Sequence, residues 1–256
     1  MTGGAPARGG RRAAGRAVAA VDRLADRYDL PDAAAPALLA LLDLLARDEL
    51  APTTVRDPLK AVDVHLADSL VALELGEVRG ARTIADVGSG AGFPGLPLAA
   101  ALPGARVTLV ESNTRRASFL ERAVAATGLA AVQILNSRVE EWANGRAACD
   151  LVVVRALAPL PAVVEYVAPL LTVGGTLVAW RGRRDVESER AAARAASELG
   201  LEVAEPIRVA PYAGAEHRYL HLMSKVRETP ERFPRRPGIA LKRPLGGGAR
   251  RGAAGA

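Results

Sequence analysis

The sequence predicts an α/β protein with a mostly parallel, seven-stranded sheet, helices on both faces, and a helical extension in front. Three observations carry this. From Arg82 onward, short apolar runs alternate with helical patterns, as in strand–helix–strand units that build a parallel sheet. The first of those runs ends in a glycine-rich turn, Asp86-Val87-Gly88-Ser89-Gly90-Ala91-Gly92, which opens a helix. Before Arg82 the apolar residues recur at helical spacing only.

The extension reads as helices over 16–28 and 32–48, with Val18, Val21 and Leu24, then Leu38, Leu41, Leu42 and Leu45, on their apolar stripes. A two-proline connector over 51–58 follows, and Asp63 offers an N-cap for a third helix running to about Leu75. Strands are expected at 83–87, 106–110, 132–135, 151–154, 176–180, 202–209 and 218–224. Helices are expected at 95–101, 113–127, 162–171 and 185–199, the last stopped by Gly200. The chain therefore divides into a basic tail (1–15), the helical extension (16–80), the sheet-bearing core (81–227) and a basic C-terminal tail (228–256).

Half of the 256 residues are apolar but only 4% are aromatic, so Ala, Val and Leu must build the core. Lys and Arg number 34 against 28 Asp and Glu, and the pI is near 10.1, which points to an anionic partner. A single cysteine, Cys149, excludes an intrachain disulfide and a Cys-rich metal site. The uncharged run from Val87 to Ala105 is broken by glycines and prolines and does not read as a membrane span. The first fifteen residues lack the apolar stretch of a signal peptide. A cytoplasmic, metal-free, monomeric protein is expected, with both Gly- and Ala-rich ends disordered.

The glycine turn sits where nucleotide-type cofactors bind, between the first strand and the first helix. Gly88 and Gly90 allow a tight turn, and the helix behind them is expected to offer free N–H groups to an anion. A dinucleotide fingerprint would need glycine at 93, where the chain has Phe93, and Asp86 would repel a pyrophosphate. S-adenosylmethionine has no phosphate. Its ammonium and sulfonium suit Asp86, and its carboxylate suits the helix start. Glu111 ends the second strand, 21 residues past Gly90, placed to accept the ribose hydroxyls. Val139 and Glu140, after the third strand, are expected to flank the adenine. A Rossmann-like methyltransferase is the reading.

The fourth strand ends in Val154-Arg155-Ala156-Leu157-Ala158-Pro159, without the Pro-Pro-Tyr-type motif of amino-methyltransferases, and Cys149 lies at the wrong end for a nucleophile. A target that need not lose a proton fits this absence, and guanine N7 is one. Arg155 is then expected to orient the cofactor or contact O6. His65 and Asp68, one helical turn apart, either face the active site or fasten their helix.

These residues resemble the RsmG family (glucose-inhibited division protein B), bacterial guanine-N7 methyltransferases of 16S ribosomal RNA. The likeness spans about 53–245: His65-Leu66-Ala67-Asp68-Ser69-Leu70, the loop from Asp86 to Leu98, Glu111-Ser112-Asn113-Thr114-Arg115-Arg116, Ser137-Arg138-Val139-Glu140, Arg155-Ala156-Leu157-Ala158 and the close from Phe233 to Leu245. It implies cofactor contacts at Gly88, Phe93, Glu111, Val139, Glu140 and Arg155. It also implies 7-methylguanosine at nucleotide 527 as product, with 16S rRNA, the 30S subunit or an assembly intermediate as partner. The chain departs from the family at Ala51-Pro52, where Asn-Leu is usual, and at Arg181, where Lys is usual. RNA contact is expected at Arg115, Arg235, Arg236, Lys242 and Arg243. The basic close counts seven positive residues, Lys225, Arg227 and Arg232 being the others, against Glu228 and Glu231. Alternatives are a small-molecule methyltransferase and an RNA-binding assembly factor that keeps the fold without turnover.

Overall fold

The computed structural model describes residues 8–246. Residues 1–7 and 247–256, which hold much of the two expected basic tails, lie outside the described residues. Helix α1 (Arg8–Tyr28) starts ahead of the expected Arg16, and α2 (Ala34–Arg47) follows it. Val21, Leu24 and Tyr28 of the first and Leu38, Leu41, Leu42 and Leu45 of the second are buried against each other and the core.

The third helix begins earlier than expected and changes pitch three times. Short α3 (Pro58–Ala61) runs into a π-helical turn (Val62–Ala67), α4 (Asp68–Leu70) and a 3-10 turn (Val71–Glu74); α5 (Gly76–Arg79) stands behind it. Its cap is Asp57 rather than Asp63: the Asp57 carboxylate accepts the Lys60 N–H at 2.7 Å. Pro58 fills the first helical position, where a missing N–H costs nothing. The π turn carries His65, and such turns re-aim side chains by widening the helix.

The core then alternates: β1 (Thr83–Val87), α6 (Gly95–Ala101), β2 (Arg106–Val110), α7 (Thr114–Thr127), β3 (Val132–Leu135), two 3-10 turns (Val139–Glu141 and Ala143–Gly145), β4 (Cys149–Arg155), α8 (Leu160–Val167), β5 (Leu171–Arg181), α9 (Val186–Leu199), β6 (Leu201–Val203), β7 (Ile207–Arg208), β8 (Tyr219–Lys225) and α10 (Ile239–Lys242). The strands form one sheet in the order β3-β2-β1-β4-β5-β8-β6, with β7 also on β8. The first five are parallel, and β8 runs antiparallel to β5.

Among the described residues there are eight strands rather than seven, because the expected strand at 202–209 is split. Pro206 cannot donate to the ladder, so β6 and β7 pair with β8 separately on either side of it. The expected helix 162–171 ends sooner, at Val167, since Pro169 cannot continue it, and Leu171 already belongs to β5.

Side chains alternate across the sheet as the period of two requires. Ile84, Val107, Leu109, Val153, Val178 and Trp180 face the extension, α6 and α7. Ala85, Val87, Val152, Val154, Leu177 and Ala179 face α8, α9 and α10. The crossovers leave β1 in opposite directions toward β2 and β4, so a crevice opens at the carboxyl ends of β1 and β4, the switch point where such sheets bind ligands.

Candidate active site

The loop after β1 turns through left-handed backbone. Gly88 has φ +77°, and a Cβ there would lie 2.5 Å from Leu157 Cδ1. Only glycine fits that approach without strain. Glu111, 4% exposed, accepts the Gly90 N–H at 3.1 Å and the Asn113 N–H at 2.8 Å. Each of its oxygens keeps a lone pair for a further donor.

Asp86 does something other than expected. It is fully buried beneath the loop, and its Oδ2 accepts the Gly95 N–H at 2.9 Å. The first N–H of α6 is thus spent on Asp86 rather than held open for an anion. Burial pushes the Asp86 pKa up to about 7, against the opposing pull of the Gly95 N–H and the Arg155 charge. Its Oδ1 has no hydrogen-bond partner.

A cavity of about 180 Å³ lies against the loop, lined among others by Gly88, Ser112, Val139, Glu140, Leu157 and Leu241. The expected adenine-side residues therefore share one cavity with the loop. Glu140 is also tied down: its Oε1 accepts the Gly238 N–H at 3.0 Å. That bond and Leu241 bring the C-terminal segment to the cavity wall, a contribution that nothing in the local sequence pattern signals.

A second cavity, of about 490 Å³, lies on the other side of the β4 end, with His65, Asp68, Arg155, Trp180, Arg181 and Arg218 in its wall. Arg155 Nη1 donates to Asp68 Oδ2 at 2.9 Å and to the Val64 carbonyl at 3.2 Å. Its guanidinium carbon stands 5.4 Å from the centre of the Phe93 ring. His65 stacks on the same ring, with centroids 4.5 Å apart and planes 12° apart. Phe93 is thus buried between loop and extension. The next residue after Arg155, Ala156, has φ +55°, a conformation that costs a non-glycine residue energy and gathers at functional sites.

His65 is a neutral imidazole here. Burial, and then the Arg155 charge, lowers its pKa to about 4, and its Nε2 lies 3.0 Å from Thr53 Oγ1. Asp68 takes Arg218 Nε on its other oxygen at 3.1 Å. Its backbone carbonyl takes the Trp180 indole N–H at 2.6 Å. Trp180 and Arg218 were not singled out from sequence. Arg181, a departure from the family pattern, lines this second cavity.

The basic close divides. Arg235, expected to contact RNA, meets Glu165, which has no solvent exposure, through Nε at 2.7 Å and also through Nη2. Arg232 pairs with Glu198, Arg227 donates to the Ser197 carbonyl, and buried Lys225 donates to the carbonyls of Ala168 and Leu199 and to Thr229. Arg115, Arg236, Lys242 and Arg243 are exposed and make no ion pair among the described residues.

Cys149 is buried at the start of β4, its thiol pKa pushed to about 12 by burial, far from the loop. A separate cavity of about 360 Å³, with Trp142 in its wall, is lined by residues of β1, β2, β3 and the start of β4 and belongs to neither cavity above. Among the described residues no cluster of three or more His, Cys, Asp or Glu side chains is placed for a metal, and no helix is long and apolar enough to cross a membrane.

A parallel sheet with an antiparallel last hairpin, a glycine loop after β1, an acid closing β2 and a cavity across the β1/β4 crevice define an S-adenosylmethionine-dependent methyltransferase. Solved structures share the fold. A SAM-dependent methyltransferase from Aquifex aeolicus has a TM-score of 0.52 at 17% identity, over 65% of this chain and 93% of its own. An O-methyltransferase from Thermotoga maritima has 0.51 at 20% identity, over 75% and 73%. The pattern that defines the rRNA small subunit methyltransferase G family matches residues 38–209. Relatives named ribosomal RNA small subunit methyltransferase G are 42% identical in Rubrobacter xylanophilus, over 75% of this chain and 76% of that one, and 40% identical in Chloroflexus aggregans, over 75% and 82%. The chain belongs to this family, known also as GidB.

Proposed function

We propose that the protein methylates N7 of a guanine in 16S ribosomal RNA, the nucleotide 527 that the family resemblance implies, on the small subunit or its assembly precursor. One observation supports this above the others: among the described residues at the end of β4, where the two cavities meet, no group is suited to remove a proton. His65, its Nε2 at Thr53 and its Nδ1 buried without a partner, is a weak base with a pKa of about 4, and both oxygens of Asp68 carry guanidinium partners. An amino or hydroxyl target needs a proton taken away, whereas guanine N7 attacks with a lone pair it already has.

The residues fit S-adenosylmethionine. Glu111 has acceptor capacity left, Gly88 keeps the backbone open at the cavity wall, and Val139 and Glu140 form its far side. The cofactor supplies an electrophilic methyl group. The protein's task is then to hold the nucleophile in line and exclude water, and orientation alone accounts for a large share of such rate enhancements.

The test is nucleoside mass mapping of 16S rRNA from cells with and without the gene, together with transfer to unmethylated small subunits in vitro. A 7-methylguanosine that disappears with the gene and is restored by the purified protein is the expected result. A ribose 2′-O-methyl or a base-amino methyl in its place would refute the reading.

A further inference from the structure

The second cavity has a construction of its own. Asp68 receives three hydrogen bonds: from Arg155 at the end of β4, from Trp180 of β5 and from Arg218, the residue before β8. With its own helix, that makes four segments joined at one 5%-exposed residue. Both guanidiniums keep unused donors. Arg155 commits only Nη1, leaving Nε and Nη2, and Arg218 commits one proton each of Nε, Nη1 and Nη2, leaving two. Around them stand the indole of Trp180, apolar Val55 and Val64, and Arg181, whose Nη1 is held by the Ala158 carbonyl at 2.8 Å.

We propose that this cavity receives the target guanine after it leaves its strand, that Arg155 and Arg218 recognise O6, and that Asp68 is the positioning residue for both. The inference rests on the guanine-N7 reading above. It identifies which part of the molecule selects the base.

The chemistry favours a base over a phosphate. A carboxylate at the heart of the arginine group opposes a dianion, while it leaves single N–H donors suited to a neutral carbonyl oxygen. An aromatic wall suits a purine face, because unstacked bases are recognised by stacking and by hydrogen bonds to their edges. Binding O6 alone, rather than O6 and N7 as a pair, leaves the N7 lone pair free to attack. The donors would also reject adenine, which presents an amino group in place of O6. The cavity meets the cofactor-side cavity at the β4 end, where Arg155 and Ala156 line one and Leu157 and Ala158 the other.

The experiment uses wild-type protein and small subunits reconstituted with 16S rRNA carrying a single replaced base at the target. Inosine keeps O6 and loses the 2-amino group; 2-aminopurine keeps N7 and loses O6. Inosine should be methylated at a rate close to guanine, and 2-aminopurine slower by roughly ten- to a hundredfold, the effect of losing hydrogen bonds to charged donors. Equal rates for 2-aminopurine and guanine would overturn the proposal. A second arm uses Arg218→Gln and Asp68→Asn on the natural substrate. Transfer should fall by a similar factor with cofactor affinity by calorimetry unchanged, and for Asp68→Asn the loss should fall on kcat more than on KM. Unchanged transfer in both variants, or a parallel loss of cofactor affinity, would also overturn it. A wild-type protein that makes no 7-methylguanosine on the guanine substrate would instead sink the underlying functional reading.

Discussion

Replacing Arg235 by Ala separates two roles that charge counting cannot tell apart. Glu165 sits on α8 with no solvent exposure and takes three donors from one residue: the Arg235 backbone N–H at 3.2 Å, Nε at 2.7 Å and Nη2. The substitution removes two of the three and leaves a buried carboxylate with one backbone bond. Breaking a buried pair from one side costs about 3–5 kcal/mol, and the surviving bond puts this case near 3. For a chain of this size that is roughly 6–12 °C in Tm. Replacing both Glu165 and Arg235 by Met should recover most of the loss, since no buried charge then lacks a partner. Urea unfolding of Glu165→Met, Arg235→Met and the double variant gives the coupling energy directly. RNA affinity against salt, measured where Arg235→Ala is still folded, should keep the wild-type slope. A variant of unchanged stability whose salt slope falls by about 0.7–0.9 would mean that Arg235 meets a phosphate and the ion pair is incidental.

Three further outcomes are expected. Glu111→Ala should weaken S-adenosylmethionine by about 1–3 kcal/mol in calorimetry, from the missing carboxylate and the freed Gly90 N–H; unchanged affinity would place the ribose elsewhere. His65, with a folded pKa near 4 against 6.5 unfolded, contributes stability that is complete above pH 6.5 and lost as pH falls through 4. His65→Phe should therefore flatten urea midpoints across that window, and an identical pH slope in the variant would contradict the burial. Replacing Arg236, Lys242 and Arg243 by Ala should lower the RNA salt slope by about 0.7–0.9 for each phosphate no longer neutralised, with cofactor affinity retained, and parallel lines would exclude phosphate binding there.

Much of the fold was legible because its signals are local. Asp185 and Gly200 bracket α9 as its N-cap and left-handed stop, as their residue types suggest. The glycine loop and Glu111, which the fold joins through the Gly90 N–H, were picked out by spacing alone. The arrangement around Asp68 was hidden for a physical reason: Asp68 meets Trp180 112 positions away and Arg218 150 positions away, through strand order that periodicity does not determine. The same distance effect misled the charge count at the basic close. Partners such as Glu165 and Glu198 lie on helices far back in the chain. Two misses were readable after all, since Asp57-Pro58 is a helix start and Pro206 a strand break.

The junction at Asp68 bears on how such a protein changes over evolutionary time. A lone substitution at 68 strips two arginines of their anchor, and a lone loss of either arginine leaves a buried carboxylate half-paired. Neutral drift is therefore closed at these sites unless replacements arrive together. Asp68, Arg155 and Arg218 should be inherited as a block, and a hybrid that takes its helical extension from one ancestor and its sheet from another stays intact only where both lineages carry the same three.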